Sequence, residues 1–273
     1  MSDVELCVHD QAPLISAKDR DLGPALPKEF LHRFTVHSYR NAVRVLATAA
    51  TVDFHELIKT LLEFEIPTQH MVEKGGNKTK IALAMEDLLH PKGWLETRIR
   101  GDMLIETTTQ VPNTRTKAPK FIKKVDLYRI RNFVDGHKID FIKNRVAFDL
   151  EWNSKDQTFD RDLYAMRAFY EAGIIDAGVL ITRDSNMGPL FSEISSRVNI
   201  DRFASKYGAS TTWMGKLLYR LDAGRGGGCP ILAVGITPAV VTDFDKWKAS
   251  NPVIRKAVEV TDLLSADDEE AEE

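Results

Sequence analysis

The sequence predicts an α/β fold in which helices flank a central mixed β-sheet. Three observations lead to this prediction. The apolar spacing over Arg40–Glu65 and over Thr79–Leu89 is helical, so we expect a helical N-terminal third. Alternating polar and apolar stretches follow between Trp94 and Asn153 and are typical of half-buried strands. Two continuous apolar runs, Ile174–Thr182 and Ile231–Ile236, indicate buried and parallel strands.

The chain is expected to form one domain over residues 1–265. Residues 1–30 carry scattered prolines without periodicity and are expected to form an irregular arm. Residues 31–93 form the helical part, and residues 94–240 hold the core sheet and its loops. Residues 266–273 (ADDEEAEE) are expected to form a disordered acidic tail.

Turn signals divide the middle of the chain into strands. Asp135-Gly136 predicts a tight hairpin turn, and Lys143-Asn144 predicts a two-residue turn before the next strand. The strands expected around these turns are Met103–Thr109, Lys124–Asn132, Lys138–Ile142 and Arg145–Asn153. The helices expected after them are Phe159–Ala172 and Met214–Leu221.

Composition excludes several classes of protein. No apolar run of the 273 residues approaches the roughly 20 that a membrane helix needs, and the N-terminus lacks the pattern of a signal peptide. Two cysteines, Cys7 and Cys229, make no disulfide framework, so we expect a cytoplasmic protein. The net charge of −3 hides a body of about +3, because the tail contributes six acidic groups. Such a body is compatible with a polyanionic partner.

Three acidic residues carry the chemistry. Asp140 precedes Asp149 by nine residues, and Glu151 follows two residues later. Alternate side chains share one face of a strand, so Asp149, Glu151 and Asn153 lie together, and the turn brings Asp140 alongside. Carboxylates are crowded in this way where a divalent cation lies between them. We expect Asp140, Asp149 and the backbone carbonyl of Leu150 to hold Mg²⁺, with Mn²⁺ able to substitute. Glu151 would orient or deprotonate a water for phosphodiester hydrolysis.

One segment also carries a family resemblance. VAFDLEWNSKDQTFDRDLYAMRAFYEAGIIDAGVLITR, Val146–Arg183, resembles type II restriction endonucleases of the BglII/BstYI group, which have the PD-(D/E)xK nuclease fold. GGNKT at Gly75–Thr79, Gly93-Trp94 and GGGCPILAVGI at Gly226–Ile236 are similar to that group as well. The resemblance spans residues 35 to 240.

The resemblance implies roles for the acidic residues. Asp140 corresponds to the first metal-binding acid and Asp149 to the second. Glu151 stands where the wider superfamily often has lysine, although BamHI-like members also have glutamate there. Asp126 and Glu96 are candidates for a further acidic group at the active site, together with Asn153 and Lys155.

The resemblance further implies a homodimer acting on a palindromic site in double-stranded DNA. Candidate DNA contacts are Lys78 in the GGNK turn, Arg225 in a glycine-rich loop, and three residues after the buried strand: Arg183, Ser185 and Asn186. Alternatives remain open at this point. They are a modification-dependent or repair nuclease of the same fold, a DNA-binding protein that does not cleave, and a structural partner protein.

Overall fold

A computed structural model of the chain describes residues 22, 25–73, 78–113, 115, 120–200, 203–208 and 210–258. The expected acidic tail at residues 266–273 and most of the expected arm at residues 1–30 lie outside these residues. So do Gly75, Gly76 and Asn77 of the GGNK turn. At its described end, the arm is not irregular, because helix α1 begins at Lys28.

The helices of the described residues alternate with the strands of one sheet. The helices are α1 (Lys28–Arg33), α2 (Ala42–Ala49), α3 (Thr51–Glu63), α4 (Thr68–Val72), α5 (Lys80–Leu89), α6 (Thr158–Glu171), α7 (Gly188–Arg197), α8 (Met214–Asp222) and α9 (Phe244–Ser250). The strands are β1 (Phe34–Tyr39), β2 (Leu95–Pro112), β3 (Phe121–Lys143), β4 (Val146–Glu151), β5 (Ala177–Arg183) and β6 (Ile231–Ile236). None of these helices combines the length and hydropathy required to span a bilayer.

The sheet is mixed, as predicted. Its strand order is β1-β6-β5-β4-β3-β2. Strand β5 pairs in parallel with β4 and with β6, whereas β1 pairs antiparallel with β6 and β3 antiparallel with β4. Strand β1 was not predicted, because the sequence analysis assigned residues 31–93 to helices alone. The expected strand at residues 145–153 ends two residues early, at Glu151.

Both faces of the central strands are buried. Strands β4, β5 and β6 are buried along their full lengths. Phe148 and Leu150 of β4 join the main hydrophobic core with residues of α1, α3 and α7. Helix α6 covers the opposite face at close range, because an added Cβ at Gly178 of β5 would lie only 2.5 Å from Met166 Sδ. Alternate residues of β4, among them Asp149, therefore point toward α6.

Contacts divide the chain into two compact units. One comprises residues 1–97 and 139–273, and the other comprises residues 98–138. The second unit is a two-stranded ribbon made from most of β2 and β3. Its strands join through residues 113–120, where the Asn113 amide donates to the carbonyl of Lys120 at 2.6 Å.

The predicted hairpin turn at Asp135-Gly136 is wrong. Strand β3 runs without interruption from Phe121 to Lys143. The Asp135 carboxylate instead lies 3.6 Å from Arg98 and 3.9 Å from Arg100 on β2. A two-residue turn signal is local, and here the cross-strand pairing with β2 outweighs it.

The turn between β3 and β4 falls one residue later than predicted. Lys143 pairs with Val146, so the turn residues are Asn144 and Arg145. Asn144 adopts a left-handed conformation with φ of 48°, which asparagine tolerates better than most residues. Its side-chain amide donates to both carboxylate oxygens of Asp53 in α3, at 3.1 and 2.9 Å. This contact fixes the register that places Asp140 beside Asp149.

Replacing Asn144 tests the importance of this turn. Asn144→Ala removes the hydrogen bonds to Asp53 and places a Cβ in a left-handed conformation without compensation. We expect a loss of roughly 1–2 kcal/mol in the free energy of unfolding, measured by urea denaturation. Asn144→Gly keeps the backbone conformation and should lose less; a loss equal to that of alanine would contradict this account.

Candidate active site

A pocket of about 350 Å³ lies at the ends of β3 and β4. Strand β3 contributes Asp140, and β4 together with the residues after it contributes Leu150, Glu151 and Asn153. The first turn of α5 closes the opposite side of the pocket, which is also lined by Lys78, Thr79, Ala82, Glu86, Phe141, Trp152 and Ser154. The pocket thus gathers most of the acidic constellation predicted from the sequence.

The β3–β4 register brings the first two acids together. Phe141 pairs with Phe148, so Asp140 stands opposite Asp149 at the next position. The backbone amide of Asp140 donates to Asp149 Oδ1 at 2.8 Å. The side chain of Asp140 is exposed at the edge of the pocket, whereas Asp149 points inward.

A third carboxyl joins Asp149 and Glu151 from helix α6. Asp162 is only 2% exposed, Asp149 4% and Glu151 6%. Each of these three groups has one buried oxygen without a hydrogen-bond partner among the described residues: Oδ2 of Asp149, Oε2 of Glu151 and Oδ2 of Asp162. Buried carboxylate oxygens without donors are costly. Such oxygens are suited to accept a proton or to bind a cation.

Burial, together with the neighbouring carboxylates, raises the pKa values of three aspartates at this site. Burial raises the pKa of Asp162 to about 8, and the charge of Glu151 contributes to the rise. Burial likewise raises the pKa of Asp149 well above its ordinary value, and the charge of Asp162 adds to this. The pKa of Asp140 is raised as well, by partial desolvation first and then by Glu151. Asp162 therefore retains a proton at neutral pH beside Glu151.

Arg161 supplies positive charge to the same cluster. Its guanidinium lies 3.4 Å from Glu151 Oε1 and 3.0 Å from Asp162 Oδ1. The side chain of Arg161 is half-exposed, so it spans the distance between the buried acids and solvent. The charges of Asp162, Glu151 and Asp149 raise the pKa of Arg161. The acidic cluster is thus partly neutralised by a residue of α6.

The donor set fits a hard divalent cation in type and only partly in arrangement. Carboxylate oxygens are the ligands that Mg²⁺ prefers, and unpartnered oxygens of Asp149 and Glu151 are available. However, no three His, Cys, Asp or Glu side chains in the described part of the chain are positioned to hold a metal ion. A cation here would need further ligands from the backbone, as expected for the Leu150 carbonyl, or from water. The Glu151 carbonyl is already used, since it accepts from Thr182 Oγ1 at 2.7 Å.

Lys78 lies at the pocket rim just before α5. It pairs with Glu86 of that helix, and its pKa is raised by Glu86 and by the charges of Asp140 and Glu96. The Thr79 hydroxyl caps the helix by accepting from the Ala82 amide. A lysine and a helix start thus face the acids across the pocket.

The four additional active-site candidates have different environments. Asn153 lines the pocket, and its buried Oδ1 has no hydrogen-bond partner among the described residues. Glu96 acts on the cluster by charge, since it raises the pKa of Asp140. Lys155 is exposed, and its backbone bridges to Thr211. Asp126 belongs to the ribbon and pairs with Lys124 at 2.9 Å.

The structure corrects one of the expected DNA contacts. Arg183 is buried, and its guanidinium donates to the carbonyls of Thr212 and Tyr207, each at 2.9 Å, while lying over the rings of Phe191 and Tyr207. Burial lowers its pKa to about 10. Arg183 is therefore a structural residue, because it is 3% exposed and its Nε and Nη2 groups bind atoms of the fold itself.

Arg225 is held by an acid of the protein itself. It forms an ion pair with Asp160 of α6, which ties the glycine-rich loop to that helix. Ser185 and Asn186 are exposed after β5, so their predicted role remains a prediction. The Asn186 amide donates to Asp184 Oδ1 at 3.0 Å.

Sequence analysis missed Asp162 and Arg161. A signal was present in the amphipathic helix, where Phe159, Leu163 and Met166 form the apolar stripe. Asp162 occupies the same buried face, and an acid within an apolar stripe indicates a functional carboxyl. Arg161 gave no comparable signal, because a charged residue next to the stripe is ordinary.

Comparison with known proteins agrees with this geometry. Residues 34–236 match the family model described as restriction endonuclease BglII/BglIII. No curated protein matches the chain significantly. The matched range contains all six strands and the whole acidic cluster.

The pKa of Asp162 predicts a specific pH dependence of stability. Between the ordinary pKa of 3.8 and the folded value of about 8, the native state holds a proton that the unfolded state has released. Stability from this group is therefore lost as the pH rises through this range. We expect the thermal midpoint of metal-free protein to fall between pH 6 and pH 9, and the fall to be smaller in Asp162→Asn. Equal pH profiles for the two proteins would contradict the assignment.

Proposed function

Because the chain belongs to the BglII/BglIII restriction endonuclease family, whose members are type II site-specific deoxyribonucleases, we propose that it hydrolyses duplex DNA at a short palindromic site with Mg²⁺. The observation that carries this proposal is the buried cluster of Asp149, Glu151 and Asp162 with its unpartnered oxygens. Glu151 lines the pocket together with Asp140, which supports a site where cation and phosphate meet.

Asp140 and Asp149 are the proposed metal ligands, with the Leu150 carbonyl as a third. A bound Mg²⁺ would supply Lewis-acid activation of the phosphate and of a water. The hydrogen bond from the Asp140 amide orients Asp149 so that its Oδ2 stays available. Mn²⁺ prefers similar oxygen ligands and is expected to support the reaction.

Glu151 is the proposed group that positions the attacking water and accepts its proton. Asp162 assists by holding a proton, which removes one negative charge beside Glu151, and Arg161 limits the repulsion between the two carboxyls. The positive charge of Arg161 comes from helix α6, whereas the wider superfamily often has a lysine at the position of Glu151 itself. Lys78 at the pocket rim is suited to bind the phosphate once DNA displaces Glu86.

The partner that the family implies is double-stranded DNA, and we propose that two copies of the chain act together. A two-fold symmetric duplex presents the same bases to each subunit, so each active site cleaves one strand. Ser185 and Asn186 are proposed base-reading residues, since they are exposed and their side chains suit base edges.

Neutralising the central acid is the first test of the site. We expect Asp149→Asn to reduce Mg²⁺-dependent cleavage of a sequenced plasmid by at least about a thousandfold, because a charged metal ligand is lost while the amide oxygen can still accept from the Asp140 backbone. The matched control is Asp245→Asn, which removes one carboxylate from α9 that is 96% exposed. Cleavage should be unchanged in the control; full activity of Asp149→Asn would refute the site.

The role of Glu151 is tested by separating binding from cleavage. Glu151→Gln keeps the shape of the side chain and removes its charge, so we expect DNA affinity to be retained while single-turnover cleavage falls by about two to four orders of magnitude.

Mapped fragment ends on methylated and unmethylated plasmid distinguish a restriction enzyme from a modification-dependent or repair nuclease. Gel shift without any fragments in Mg²⁺ or Mn²⁺ would instead favour a DNA-binding protein that does not cleave.

A further inference from the structure

The ribbon of residues 98–138 has a charge opposite to that of the rest of the chain. It contains ten Lys and Arg residues against four Asp and Glu residues, so its net charge is +6. The other 232 residues contain 27 basic and 36 acidic residues and carry −9. The ribbon contributes nothing to the pocket lining. Its charge is therefore a property that the proposed chemistry does not require.

Part of this charge is free of internal partners. Asp102 pairs with Arg129, Asp126 with Lys124, and Asp135 with Arg98 and Arg100. Lys120, Lys123 and Arg131 are exposed and form no ion pair within the described ranges. Extended strands rise by about 3.3 Å per residue, so these three cations, at positions 120, 123 and 131, are spread over about 36 Å at the start of β3.

The ribbon is also exposed on both of its faces. Neighbouring residues of a strand point to opposite faces, and the adjacent residues Leu127 and Tyr128 are 67% and 54% exposed. Leu104 and Phe133 are similarly exposed, at 65% and 53%. A two-stranded ribbon with both faces exposed is marginal by itself, which indicates a surface that meets a partner.

We propose that the β2–β3 ribbon is an arm that binds the sugar–phosphate backbone of duplex DNA through Lys120, Lys123 and Arg131. The inference rests on the proposed function, since the DNA is the substrate of the enzyme, and it adds a contact element outside the catalytic pocket. Exposed lysine and arginine side chains pair with phosphates, and their exposed apolar neighbours can pack against the sugars.

Charge favours DNA over a protein as the occupant. A second copy of the ribbon would bring +6 against +6, whereas a duplex carries one negative charge for about every 1.7 Å of its axis. A two-stranded β-ribbon also has dimensions that a major groove admits. The apolar residues alone would not distinguish these partners, but the unpaired cations do.

The test compares two triple variants that remove the same charge from the chain. Lys120→Gln, Lys123→Gln and Arg131→Gln alter the ribbon. Lys28→Gln, Lys59→Gln and Lys246→Gln alter exposed lysines of the other unit. Affinity for a 30-base-pair duplex is measured without Mg²⁺ from low to high salt. We expect the slope of log K against log salt to become shallower by about 2 to 3 in the ribbon variant and to change little in the control.

A charge-preserving variant controls for folding. Lys120→Arg, Lys123→Arg and Arg131→Lys should bind as the wild type does, and thermal midpoints should agree among all proteins. A ribbon variant that binds like the wild type, or no more weakly than the control variant, overturns the arm while leaving cleavage by the wild type intact. A wild type that neither binds nor cuts duplex overturns the proposed function and the arm together.

A further pair of substitutions tests whether the ribbon binds a second copy of the chain instead of DNA. Leu127→Ser and Tyr128→Ser remove apolar surface from both faces without changing charge. If light scattering shows that these changes dissociate a dimer while the DNA affinity of each subunit is unchanged, the ribbon is a surface between copies of the chain. That result would overturn its role as a DNA arm.

Discussion

The repulsion among three buried carboxyl groups is the constraint on which the rest of the site depends. Asp149, Glu151 and Asp162 cannot all be ionised at low exposure without compensation, and the protein compensates with a retained proton and with Arg161. The retained proton on Asp162 and the positive charge of Arg161 both belong to helix α6. That helix approaches the sheet closely only because β5 has Gly178 where any side chain would meet Met166. A glycine in a central strand thus has a direct consequence for the electrostatics of the site.

Much of the fold could be predicted because its signals are local. The apolar runs that became β5 and β6 and the amphipathic stripe of α6 each lie within one element, and periodicity reads them correctly. The acidic spacing predicted that Asp140 would stand beside Asp149, and the register places it there. The sequence therefore predicted the elements and the pairings that involve residues close together along the chain.

What could not be predicted depends on partners distant in sequence. Strand β1 pairs with β6, about 200 residues away, and its β-branched and aromatic residues suit a strand, but six residues next to a long helical stretch are too few to establish a period of their own. The Asp135-Gly136 turn signal was overruled by cross-strand ion pairs with β2. Arg183 looked like a reader of guanine, yet the aromatic rings and carbonyls that surround it come from segments 8 to 29 residues later. A local sequence pattern cannot predict that segments distant along the chain will bury a residue.

The opposite charges of the two units have a consequence for how the molecule approaches its substrate. Seen from beyond a Debye length, a net charge of −3 is weakly repelled by DNA. At shorter range the duplex attracts the +6 unit, although the net charge of the whole chain is negative. If association begins at the proposed arm, its rate falls as the ionic strength rises, whereas repulsion of a net charge of −3 would make the rate increase.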